Sequence, residues 1–218
     1  RRDLRLRLLR TVGEPKERFA EDALRMLRFF RFLATLGFRA HRKTLAAIDP
    51  PLIRHISPER LRDELCRLLL AKSPGSTLSA MHRTGLLEEI LPELALGDGV
   101  TQGSFHRHDV LRHSLHALDN TLPRLDLRWA ALLHDVAKPM TRFEKSGEIH
   151  FYGHDVEGEK LTRAILNRLR YSSKFTQKVA LLVRWHMFPV HARSTDKALR
   201  RFIRKVGKDN VLDLMEIR

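Results

Sequence analysis

The chain is short of several things. Cys66 is its only cysteine in 218 residues, so no intramolecular disulfide can form. A lone thiol fits a reducing cytosol, and a cytoplasmic protein is expected. No apolar run reaches the ~18 residues of a membrane helix, so neither a membrane span nor a membrane partner is expected. The opening RRDLRLRLLR is charged throughout and lacks the apolar core of a secretory leader. Alternating strand patterns are nearly absent; the one exception, TRFEKSGEIHFY at 141–152, reads as a small hairpin around Ser146-Gly147. Internal repeats and low-complexity tracts are lacking too. Acidic charge is also scarce: 26 Asp and Glu face 41 Lys and Arg, a formal +15. The excess gathers early, where residues 1–43 hold 13 basic and 5 acidic side chains. A field of that sign favours polyanions and points to nucleic acid or nucleotide.

What is abundant is helical periodicity. Apolar residues recur at three and four over 18–37, 43–48, 56–70, and the two short stretches TLSAMHRTG and LLEEILPEL. In ISPERLRDELCRLLL, Ser57 is placed as N-cap and Pro58 at the first helical position, with Leu61, Leu65, Leu68 and Leu69 as the buried face. GDG at 97–99 is the best candidate boundary, and further helices are expected near 108–121, 126–137, 155–169, 174–187 and 195–205. The fold class is all-α with short connections.

Two constellations carry chemistry. In AEDALRMLRFFRF, Asp22 and Arg25 are spaced as neighbours on one helix face, and Arg28 and Arg31 continue the ladder. An ionised Asp only accepts hydrogen bonds and an Arg only donates them. Cytosine and adenine each offer an amino donor beside a ring-nitrogen acceptor, which such a pair fits; uracil and guanine present the reverse. The simpler reading is an intrahelical salt bridge. Phe29 and Phe30 are assigned to the core. The second constellation is His134-Asp135 at the end of an apolar helix, with His113 before it and His154 and His186 after it. Imidazole and carboxylate together suit borderline divalent metals such as Mn, Fe, Co, Ni or Zn, and the absence of nearby thiolates argues against a structural zinc. His106, His108, His116, His150 and His191 are read as ordinary histidines.

The segment LLHDVAKP resembles the HD superfamily of metal-dependent phosphohydrolases. The resemblance implies His113, His134 and Asp135 as the first three metal ligands and His154 and His186 as the added histidines of two-metal members. Asp213 is a weak candidate for the last aspartate. The run LLRTVGEPKERFAEDALRMLRFFRF, followed in order by ISPERLRDEL, GLLEEILPEL and the HD region, resembles class II (bacterial-type) tRNA nucleotidyltransferases and their poly(A) polymerase relatives. That implies a neck at 1–46, a helical body at 47–99, an HD domain at 100–190 and the start of a helical tail at 191–218. It also implies tRNA as partner, ATP and/or CTP as nucleotide, and Mg in a catalytic head. Asp22 and Arg25 would select the base, and Arg28 and Arg31 would hold the incoming nucleotide. The head's Gly-Ser start followed by an Asp-x-Asp pair does not occur here, so a C-terminal portion of such an enzyme is expected. Three alternatives stay open: a free-standing HD phosphohydrolase, a non-catalytic RNA-binding helical module, and a poly(A) polymerase relative.

Overall fold

A computed structural model describes residues 2–103, 107–188 and 194–217. His106 and His191 lie outside them. The described residues are mostly helical, with two small sheets.

The N-terminal part begins with α1 (Arg2–Arg5) and β1 (Leu8–Leu9). The periodic stretch expected as one helix over 18–37 is two: α2 (Pro15–Glu21) and α3 (Leu24–Leu36). The break is at Asp22, which is extended (φ −152°, ψ 102°). Its carboxylate accepts from the Leu24 N–H at 3.2 Å and its carbonyl from the Arg25 N–H at 3.0 Å. Asp22 therefore forms a local turn into α3, the kind of bond that lets Asp compete with helix interiors. At the other end Gly37 adopts φ +64° and returns its N–H to Leu33, a left-handed stop that favours glycine. The chain then pairs β2 (Arg39–Ala40) in parallel with β1, an element the pattern gave no sign of.

The body follows. α4 (Arg42–Ala46) leads to a 3₁₀ turn over Pro50–His55, then α5 (Pro58–Leu69), α6 (Pro74–Arg83), α7 (Leu86–Ile90) and α8 (Pro92–Ala95). Leu65, Leu68 and Leu69 of α5 are buried as their spacing required, against α3 residues Leu27 and Phe30 in one core. Phe29 is buried with them. α6 meets α9 (Val110–Asn120) at Gly75, where a Cβ would sit 2.6 Å from the Leu115 carbonyl. That approach also lets Asp119 take the Gly75 N–H at 2.8 Å.

The C-terminal half packs α9, α10 (Leu125–Leu133), α12 (His154–Arg168) and α13 (Ser173–Trp185), with α11 (Lys138–Thr141) leading into a hairpin of β3 (Phe143–Lys145) and β4 (Glu148–His150). The hairpin matches its expected position and turn. Helices α14 (Asp196–Val206) and α15 (Lys208–Glu216) complete the described chain. Arg128, buried on α10, donates to the carbonyls of Leu118 and Leu122, adding second partners at and just beyond the end of α9. The halves share one core and are joined by a polar rivet: Trp129 of α10 donates to the Tyr171 hydroxyl at 2.9 Å, and Cys66 of α5 lies 3.0 Å from the same oxygen. No helix among the described residues is long and apolar enough to cross a membrane.

Candidate functional sites

The histidines of the second constellation come from four elements and converge. His113 lies on α9, His134 and Asp135 at the end of α10, His154 at the start of α12, and His186 at the end of α13. His134 Nε2 is 3.0 Å from Asp135 Oδ2, and His113 Nε2 is 3.1 Å from His134 Nε2. On the other carboxylate oxygen, His154 Nε2 stands at 3.6 Å and His186 Nε2 at 3.8 Å, 3.4 Å from each other. Two three-residue donor groups thus share Asp135: His113-His134-Asp135 and Asp135-His154-His186.

The protons of these rings are assigned by their other nitrogens. His134 Nδ1 lies 2.8 Å from the Ala131 carbonyl, His154 Nδ1 2.7 Å from Phe151, and His186 Nδ1 2.7 Å from Val183. A carbonyl can only accept, so each Nδ1 is the donor and each neutral ring turns a lone pair inward. With both rings donating through Nδ1, the Nε2 atoms of His154 and His186 face one another 3.4 Å apart. Separations near 3–4 Å are those of donors about 2 Å from a shared cation. The set therefore fits a divalent metal, and the backbone bonds to Nδ1 are the supports that orient imidazole ligands.

The electrostatics agree for His186 and differ for His134, which Asp135 biases toward the imidazolium. Burial drives His186 down to about 4, aided by neighbouring His134, so it is neutral at physiological pH. Burial would raise Asp135, but His134 and Lys138 outweigh it and hold the carboxyl well below its usual range. Burial would lower His134, and the Asp135 charge overcomes that and raises it. Lys138 follows the pair in LLHDVAKP. Its Nζ is 2.8 Å from Asp135 Oδ2 and donates to Gln102 Oε1 at 2.6 Å. Asp213 does not join the cluster: Arg124 holds it at 2.7 Å and Lys178 also pairs with it. Its place one turn before the end of α15 puts it opposite two cations, which the sequence spacing could not show. A cavity of about 430 Å³ opens onto the cluster, lined by His113, Ala117, Lys138, Met187 and Ile217 among others.

The ladder is arranged differently from the sequence expectation. The side chains of Asp22 and Arg25 do not pair with each other, and the two residues do not sit within one helix. Asp22 is bound by Arg60 of α5 at 3.0 Å, and Arg25 by Glu21 at 2.5 Å, with a further bond to the Arg18 carbonyl. Arg28 and Arg31 both use Nε to reach Glu64, each at 3.0 Å, one on either carboxylate oxygen. Glu64 is 4% exposed. Binding through Nε leaves the terminal nitrogens of both guanidiniums for other partners. Arg60 and Glu64 were missed in the sequence because their partners lie 38 and 36 residues away. Glu64 did leave a signal: a carboxylate inside the Leu61-Leu65-Leu68 stripe needs a buried cation.

The comparisons with known proteins cover both regions. The family described as "Probable RNA and SrmB- binding site of polymerase A" matches residues 37–96, and the HD domain family matches residues 106–213. The chain is 39% identical over 217 residues to the A-adding tRNA nucleotidyltransferase of Deinococcus radiodurans, covering 93% of this chain and 49% of that protein. It is 40% identical over 218 residues to the CC-adding tRNA nucleotidyltransferase of Thermus thermophilus, covering 92% and 48%. The crystal structure of the Bacillus stearothermophilus CCA-adding enzyme in complex with CTP shares the fold, with a TM-score of 0.68 over all of this chain and 47% of that one, at 24% identity. The chain spans about half the length of the curated relatives it matches. With an RNA-binding region and an HD domain in that order, the chain belongs to the tRNA nucleotidyltransferase and poly(A) polymerase family.

Proposed function

We propose that this chain is the base-selecting and RNA-binding portion of a cytoplasmic tRNA nucleotidyltransferase that adds CMP and/or AMP to tRNA 3′ ends. The observation that carries this is the near-full-length similarity to both an A-adding and a CC-adding relative, with the ladder inside the aligned region. The division is a neck at 1–46, a body at 47–99, an HD domain at 100–190 and the start of a helical tail at 191–218. CTP or ATP is the nucleotide, with Mg in the part of the enzyme that performs transfer.

In this reading Asp22 accepts the exocyclic amino proton of cytosine or adenine, and Arg25 donates to the adjacent ring nitrogen. Both groups are already charge-paired, so a base must offer equivalent bonds in exchange. Cytosine and adenine do. Uracil and guanine would set acceptor against carboxylate and donor against guanidinium, and an unmatched polar pair can cost orders of magnitude in selectivity. Arg28 and Arg31, held through Nε by Glu64, turn their terminal nitrogens to the nucleotide's phosphates; guanidinium forks suit phosphate better than lysine. The test is base choice in the full enzyme carrying Asp22→Ala or Arg25→Ala. Discrimination against UTP and GTP should fall at least tenfold; unchanged discrimination removes the template.

A second reading concerns the HD half, and the two donor groups sharing Asp135 support it: a metal-dependent phosphohydrolase acting on a nucleotide or 2′,3′-cyclic phosphodiester. His113, His134, Asp135, His154 and His186 would hold one or two divalent ions, whose chemistry is to lower the pKa of bound water. Lys138 would fix Asp135 and hold the carboxylate in its ionised form. The assay is metal-dependent hydrolysis of a 2′,3′-cyclic nucleotide, expected to vanish in Asp135→Asn. Hydrolysis that survives this substitution rejects the reading.

A further inference from the structure

The two donor groups that share Asp135 are not equivalent, and the difference lies in what else touches its carboxylate. On Oδ2 the ammonium of Lys138 already stands at 2.8 Å. That position is built. Lys138 is buried, its Nζ donates to Gln102 Oε1 at 2.6 Å, and the Phe151 ring centroid lies 5.3 Å away. Gln102, itself buried, donates through its amide nitrogen to the His108 carbonyl at 3.2 Å, so its oxygen is turned to the ammonium. A cation held by a carboxylate, an amide oxygen and a ring face gains nothing by swinging aside. The two rings on that side, His113 and His134, share a hydrogen bond of 3.1 Å between their Nε2 atoms.

Oδ1 is different. It faces the rings of His154 and His186 at 3.6 and 3.8 Å, and among the described residues no lysine or arginine pairs with it. Both rings spend Nδ1 on backbone carbonyls, at 2.7 Å in each case. As neutral imidazoles they turn lone pairs toward each other, 3.4 Å apart, and toward Oδ1. All three residues are buried. Three acceptors that converge in this way leave a place for a cation, while Oδ2 has one already. The charge balance agrees. Both donor groups draw on a single carboxylate, and Asp213 is held away by Arg124 and Lys178. Two divalent ions beside the ammonium would crowd positive charge around one buried carboxylate, where like charges repel strongly.

We propose that the centre takes one divalent ion, held by Asp135 Oδ1, His154 and His186, and that the Lys138 ammonium fills the place of a second on Oδ2. This rests on the reading of the HD half as a metal centre, and it decides which of the two donor groups binds. His113 and His134 then line the cavity beside the ion rather than hold it. Gln102 becomes a positioning residue that keeps the ammonium on Oδ2.

The experiment strips the full chain with a chelator and titrates it with cobalt(II), counting ions per chain by calorimetry. The parent should bind one ion. His154→Gln and His186→Gln should each weaken binding roughly a hundredfold, whereas His113→Gln should bind like the parent. Lys138→Met should admit a second cobalt(II), because Oδ2 loses its resident charge. Melting of the metal-free variants separates a lost ligand from a lost fold. Zinc(II) titration of the unaltered chain adds a count that needs no substitution: long-range proton–nitrogen NMR spectra should show two imidazole nitrogens bound to zinc. Two ions on the parent or four zinc-bound rings would overturn the proposal. So would a loss in His113→Gln equal to that in His154→Gln, or a Lys138→Met chain that still stops at one ion. Binding of neither metal would overturn it at the root, by removing the metal reading beneath it.

Discussion

The ladder and the histidine cluster are both built from charged or polar side chains brought from distant elements, yet they solve opposite problems. In the ladder every charge has an internal partner: Asp22 with Arg60, Arg25 with Glu21, Arg28 and Arg31 with Glu64. Its outer members are partly exposed, so in the proposed reading the pairs would be traded for a ligand's hydrogen bonds at little cost. In the cluster the rings are locked by their own backbone carbonyls with lone pairs turned inward, and Asp135 is 1% exposed. In the proposed reading nothing is traded there, and a cation would complete it. One site would then exchange partners, and the other would be rigid and await its ligand.

The comparison breaks most visibly with metal. Loading the chain with Mn or Ni should stabilise it by about 4 kcal/mol at a thousandfold excess over Kd. Elemental analysis and melting should show the gain lost with a chelator and in Asp135→Asn. If the cluster needs no cation, both curves coincide with the untreated chain. Next in size is the one buried member of the ladder. Glu64→Gln should lower unfolding free energy by about 2 kcal/mol in urea titrations, because two arginines lose a buried charge. In the full enzyme it should raise the KM for CTP with base choice intact. A variant with parent stability would place Glu64 among the exchangeable pairs.

A third test concerns the carboxylate that stayed out of the cluster. Burial would raise Asp213, but Arg124 and Lys178 hold it below its ordinary 3.8. A carboxyl depressed in the folded state stabilises above its unfolded value and loses that contribution as pH falls through the folded one. Asp213→Asn should cost about 1 kcal/mol at pH 7 and flatten the loss of stability below pH 4. A parallel acid limb in parent and variant would show the pairing to be energetically idle. Smallest is Arg60→Met. The pair with Asp22 is partly exposed, so stability should change by less than about 1 kcal/mol. Because a competing base would no longer have to displace a guanidinium, rejection of UTP should weaken severalfold. Unaltered rejection would show that Arg60 does not guard Asp22.

Much of this could be read in advance, and the remainder has a physical reason. Leu65, Leu68 and Leu69 announced α5 through local spacing, and Ser146-Gly147 announced the hairpin through turn chemistry; both depend on residues near in sequence. The four histidines and Asp135 came through resemblance to a known pattern, and the structure brings all five together. The break at Asp22 was hidden because the apolar period runs on across it, while a local side-chain turn decides the backbone. The partners Arg60, Glu64 and Gln102 were hidden because pairing over more than thirty residues leaves no local period. Asp213 was misdirected for the same reason: its cations lie 89 and 35 residues away.

The rivet between the halves gives the protein a clock. Cys66 is the only thiol, and burial, opposed in part by Tyr171, pushes it up and away from the reactive thiolate. Cys66 is half-buried, so a disulfide reagent attacks more readily when α5 and Tyr171 part. The labelling rate therefore counts excursions of that seam, and a slower count with RNA or metal bound would measure how firmly either ligand holds the two halves closed.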